Sequence, residues 1–170
     1  MAAFMQDSKG VLDRWRVAFD RARADRVLDF ARLTTEKEYD YQIGAVETYY
    51  AESLLYREYF AQSMPDLRAR LGAMGPGDPM GKIALAEAEA KHEQQAPVFE
   101  PLMQAHLDYA DAMLGLLQLL SYNHAEWIWE DEQIRCYEDL PIAEFNVFVE
   151  QLGHAENRSN RLSQELIERS

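Results

Sequence analysis

Cysteine is almost missing from this chain: Cys136 is the only one in 170 residues, which excludes an internal disulfide and any zinc site built from several thiolates. Long apolar runs are missing as well. The longest uncharged stretch, Ala112 to Ala125, has 14 residues and includes Gln, Ser, Asn and His, whereas a membrane span needs roughly 18 apolar positions. No transmembrane helix is expected, and a membrane is disfavoured as a partner. Positive charge is in short supply too, with 17 Lys and Arg against 30 Asp and Glu for a net charge of −13, so attraction to a phosphate backbone works against nucleic-acid binding. The opening MAAFMQDSKG has no basic segment followed by an apolar one, so no secretory signal is read and the cytoplasm is the expected compartment.

What is present is the composition of one soluble domain, 48% hydrophobic and 28% charged. A single helical domain over 1–170 is expected, with residues 1–10 flexible. Helix breakers are unevenly spread: between Val11 and Ser63 the only one is Gly44. Across 11–33, Leu12, Trp15, Phe19, Ala22, Val27, Phe30 and Leu33 lay an apolar stripe at helical spacing. Thr35 and Glu38 have capping-box form and predict a second helix start, though one unbroken helix fits the same pattern. Ser63-Met-Pro-Asp66 predicts a break and restart, and the Gly/Pro cluster from Gly72 to Gly81 predicts a loop and hinge. Pro97 and Pro101 predict a kink in the third helix.

Beyond Pro101 the stripe Leu102, His106, Tyr109, Met113, Leu116, Leu120, His124 and Trp127 predicts one long, central, buried helix. A last helix is expected from Asp139 and Pro141, with Phe145, Val149, Leu152, Ala155, Ser159, Leu162 and Leu166 facing inward. No β-strand alternation is read anywhere. The expected fold is therefore all-α, an elongated antiparallel helical bundle with coiled-coil-like packing.

Catalytic chemistry finds little support in the pattern. Di-iron bundles use two Glu-x-x-His pairs, and only Glu89-Ala-Lys-His92 is present; Glu150 and His154, one turn apart, suit a solvated helix surface. No metal or cofactor is expected. Cys136 has His124 as its nearest base in sequence, and twelve residues of unbroken helix would hold them about 18 Å apart. No Gly-rich phosphate loop, G-x-S-x-G elbow or H-E-x-x-H motif occurs, and the chain is expected not to be an enzyme. His106 and His124, five turns apart on the central stripe, read as buried, hydrogen-bonded core histidines or, alternatively, as pH-sensitive positions.

Charge carries the strongest signal outside the core. Residues 1–33 sum to +2 and residues 34–170 to −15, and Tyr122 to Glu156 holds nine acids against one base, Arg135. Trp127 and Trp129 in that segment cannot share one side of a helix, so one is expected to serve the core and the other a partner. Tyr122, Glu126, Trp127, Trp129, Glu130, Asp131 and Glu132 are thus the candidate partner-binding residues: aromatic anchors with an acidic rim. Tyr49, Tyr56 and Tyr59 form a second candidate surface, for which intramolecular packing is the favoured reading.

The stretch from Phe99 to Leu114, with its A-x-L-x-Y element Ala105-His-Leu-Asp-Tyr109 ahead of a leucine, resembles the final helix of BAR domains over about 20 residues. That resemblance implies an oligomeric, membrane-associated coiled coil; the family's greater length and basic membrane-facing surface have no counterpart here. The function expected first is a non-enzymatic interaction protein that binds another, basic protein, in the manner of an inhibitor, immunity protein or secretion chaperone. A BAR-like homodimer and a ferritin-like metal-binding bundle are the other readings.

Overall fold

The computed structural model describes residues 2–24, 27–73, 79–137 and 141–169, with the side chains of 2–8 and 73 outside that set. Among them, four helices pack against one another as an all-α bundle: α1 (Ala2–Ala22), α2 (Glu36–Ala73), α3 (Pro79–Tyr122) and α4 (Ile142–Glu168). A 3-10 turn over Phe30–Arg32 precedes α2, and a two-stranded hairpin, β1 (Trp127–Glu130) and β2 (Gln133–Cys136), separates α3 from α4. Helix α3 is the hub, lying against both α2 and α4, while α1 lies on α2.

Local chemistry explains the boundaries. α1 ends at Ala22 instead of carrying the stripe to Leu33; Leu28 has positive φ, and its amide donates to the Gln42 side chain at 2.8 Å, so a buried α2 glutamine holds the turn. Val27 and Leu33 still reach the core, from irregular backbone. Thr35 caps α2 as expected, its hydroxyl accepting the Glu38 amide at 3.3 Å.

The prolines do not break the helices. α2 runs through Pro65 and α3 through Pro97 and Pro101, although each removes one helical donor. Buried neighbours hold the helices together at these points: Met64 and Leu67 in α2, Val98, Phe99 and Leu102 in α3. The Gly72–Gly81 loop is narrower than expected, since Gly72 belongs to α2 and Gly81 to α3; residues 74–78 lie outside the described residues. Asp139 also lies outside them, and α4 starts just after Pro141.

The main core gathers Val46, Tyr49, Met113, Leu116, Leu117, Leu120 and Trp127, and a smaller cluster joins Val98 and Leu102 to Leu162. Gly115 permits the closest α3–α4 approach, because a β-carbon there would overlap the Phe148 ring. On α4, Ala155, Ser159 and Leu162 are buried as the spacing predicts, but Val149 is exposed.

One polar chain crosses the core. The Trp15 indole N–H donates to Ser53 Oγ at 3.1 Å, Ser53 hydrogen-bonds to Tyr49, and the Tyr49 hydroxyl lies 2.6 Å from His106 Nδ1. Burial, and secondarily the Arg23 charge, pushes the His106 pKa down to about 4, while burial raises that of Tyr49. Neutral imidazole accepting from a protonated phenol satisfies both groups.

Candidate functional site

The helical stripe expected to continue through His124 and Trp127 stops at Tyr122. Asn123 ends it, with its amide nitrogen and its side-chain Nδ2 both donating to the Leu119 carbonyl, at 3.1 and 2.7 Å. The next carbonyl, Leu120, accepts the Trp127 indole N–H at 3.1 Å and the Tyr39 hydroxyl at 3.3 Å. Side chains thus occupy the Leu120 carbonyl, which a longer helix would have given to one of its own amides, and the chain turns into a hairpin.

That hairpin corrects the assignment of Trp127 and Trp129 to opposite helix faces. Side chains alternate along a strand, so residues two apart share a face. Trp127 is 5% exposed and closes the core; Trp129 is 37% exposed, its ring tilted against Phe30 at 5.7 Å. The pairing runs from Trp127 opposite Cys136 to Glu130 opposite Gln133, leaving Asp131 and Glu132 as a two-residue loop with φ of 53° and 60°. Such loops favour Asn-Gly, because non-glycine residues pay roughly 1–2 kcal/mol each in the left-handed region. This turn keeps two carboxylates at its tip despite that cost.

Between hairpin, 3-10 turn and the ends of α2 and α3 lies a cavity of about 660 Å³. Phe30, Leu33, Tyr39, Trp127 and Trp129 form its apolar wall; Thr34, Thr35, Glu36, Ser121 and His124 supply polar groups. Burial raises the Tyr39 pKa to about 12, partly offset by the hydrogen bond with Trp127, so the phenol stays protonated as a donor. His124 is exposed at this cavity, not buried on a helix.

The acidic rim is unevenly satisfied. Arg135 bonds Glu130 at 2.9 Å and Asp131 at 2.8 Å, while Glu126 and Glu132 have no ion pair among the described residues. Beside them stand exposed Tyr122, Ile128 and Tyr137. The sequence reading marked the tryptophans and acids; it missed the wall supplied by Phe30, Leu33 and Tyr39 and the polar edge at Thr34 to Glu36. The capping box at Thr35 was the available signal that a chain end, and so a concavity, lay there.

The other candidate residues are dispersed. Glu89 is engaged by Arg68 at 2.6 Å, His92 stacks on Phe60, and no group of three metal-ligating side chains gathers among the described residues. Tyr49 is buried and Tyr56 packs edge-on to Phe99. Cys136 is exposed, and what burial it has moves its thiol pKa upward, away from the nucleophilic thiolate. The 18 Å separation from His124 lapses with the helix it assumed.

The fold and site define a small helical bundle with an aromatic-walled cavity under an acidic hairpin. No family model, curated protein or solved structure matches the chain. No helix among the described residues is long and apolar enough to cross a membrane.

Proposed function

We propose that this chain is a non-enzymatic interaction protein of the cytoplasm whose hairpin end binds a basic segment of another protein. The observation that carries the reading is Trp129, a half-covered indole resting on Phe30 at an aromatic-walled cavity, within the most acidic stretch of the chain. A lysine or arginine side chain suits such a wall, since cations are attracted to aromatic faces by ~0.5–2 kcal/mol. Glu126 and Glu132 supply carboxylates that speed encounter and reject acidic competitors. Carboxylates held at the tip of a strained turn fit the same role, because local strain tends to persist where function needs it. An inhibitor, immunity protein or secretion chaperone would use such a surface.

The test is capture from native lysate at low and high salt, followed by titration of the purified captured protein against wild type and Trp129→Ala. The expected partner is basic, is released as salt rises, and binds the variant at least tenfold more weakly. Salt-insensitive capture, or a variant that binds as wild type does, overturns the reading.

A further inference from the structure

About 25 residues further along α2, on the order of 40 Å of helix from the hairpin cavity, a second concavity of about 470 Å³ opens between α1, α2 and α3. Its walls are apolar: Leu12 from α1, and Tyr56, Phe60, Met64 and Leu67 from α2. Two side chains at this groove carry charge, Lys9 and Lys91, and no carboxylate lines it among the described residues, in a chain with 30 acids to 17 bases. Neither lysine has an ion pair among the described residues, whereas nearby Arg68 and Glu89 neutralise each other at 2.6 Å.

A second observation comes from the wall itself. His92 lines the groove with its ring stacked on Phe60 at 4.6 Å, and its Nε2 is buried with no hydrogen-bond partner among the described residues. An unsatisfied buried polar atom is costly, and a ligand's polar group placed against it removes that cost. The volume falls within the ~300–1,000 Å³ usual for small-molecule sites, and an apolar wall with few polar groups is their usual make-up.

We propose that this groove binds the monomeric anion of a fatty acid, with the alkyl chain against the α2 aromatic and aliphatic wall and the carboxylate between Lys9 and Lys91. The chain accounts for the apolar wall, and the head group accounts for two ammonium groups left unpaired on an acidic protein. Burying each methylene of the alkyl chain favours binding, so affinity grows about fourfold per methylene until the groove is filled.

The experiment is calorimetric titration of the full chain with dodecanoate below its micelle concentration, alongside dodecylammonium and dodecanol as length-matched probes of other charge. The expected result is one dodecanoate per chain, with the cation and the alcohol at least tenfold weaker. Lys9→Glu combined with Lys91→Glu should reverse the preference toward dodecylammonium, with helicity by circular dichroism unchanged. Should the double variant lose its fold, Ala88→Phe, which fills the groove from α3, serves instead and should abolish binding of all three probes. Equal affinity for the three probes, binding to fatty-acid-containing vesicles but not to the monomer, absence of dodecanoate binding, or variants that bind as wild type does would each overturn the proposal.

Discussion

At the hairpin end, the cavity is walled by tryptophan, tyrosine and phenylalanine beside a carboxylate-rich hairpin; along α2, the groove between the first three helices is more apolar and edged by two lysines, with no acid lining it among the described residues. Both belong to a chain of net charge −13. The contrast teaches that net charge governs long-range encounter, while the few groups at each concavity decide what settles there. The two concavities also differ in what holds them. The hairpin end depends on hydrogen bonds to the last carbonyls of α3, whereas the groove is a gap between helix faces.

The largest effect that would sharpen this difference is expected from Trp127→Ala. It deletes a buried indole and empties the Leu120 carbonyl of one donor, so urea unfolding should show a loss of about 3–5 kcal/mol, with the hairpin end loosened first in hydrogen exchange. If the loss is under about 1 kcal/mol, Trp127 is not the anchor of that end.

Acid comes next and acts between the two concavities, at His106. In the folded chain its pKa is about 4 against about 6.5 unfolded, so the unfolded state binds the extra proton. Stability is full above pH 6.5 and is lost as pH falls toward 4, by about 3 kcal/mol in all. Denaturant midpoints across that window check it, and His106→Gln should flatten the dependence. A wild-type curve already flat would mean the imidazole is charged or solvated in the folded chain.

Smaller and opposite in sign is Glu132→Gly. It relieves a positive-φ residue in the hairpin loop and should raise stability by up to about 1 kcal/mol, read as a small rise in melting temperature, while weakening capture of a basic partner. Trp129→Ala should cost less stability than Trp127→Ala, because its indole is 37% exposed against 5%; its loss should appear chiefly in partner binding. Equal destabilisation by the two tryptophan variants would erase the division between anchor and contact.

Much of the architecture was legible because helices advertise themselves through spacing. Leu102 to Leu120 lie on a stripe whose members are buried apart from the partly covered Tyr109, and Ala155, Ser159 and Leu162 follow the same rule. The hairpin was illegible for a physical reason. Its strands are four residues long, and β1 buries only Trp127, too little for an alternating pattern. Its loop is Asp-Glu, which lacks the Asn-Gly signature of tight hairpins. Trp127 also falls on the helical spacing of α3, so a strand residue extended a helical stripe. The break predicted at Pro65 does not occur, and α3 continues through Pro97 and Pro101, since buried neighbours outweigh one lost hydrogen bond at each. Of the site, the tryptophans and acids could be seen in the sequence; the wall contributed by Phe30 and Tyr39 could not, because nothing local says that residues some 90 positions apart meet.

The Leu120 carbonyl accepts one hydrogen bond from α2 and another from the hairpin, filling both lone pairs of a single oxygen. A pull on the hairpin therefore loads three segments through this shared oxygen, and the strand pair should resist peeling until that knot gives way. Grip at this end would then fail abruptly under force instead of creeping.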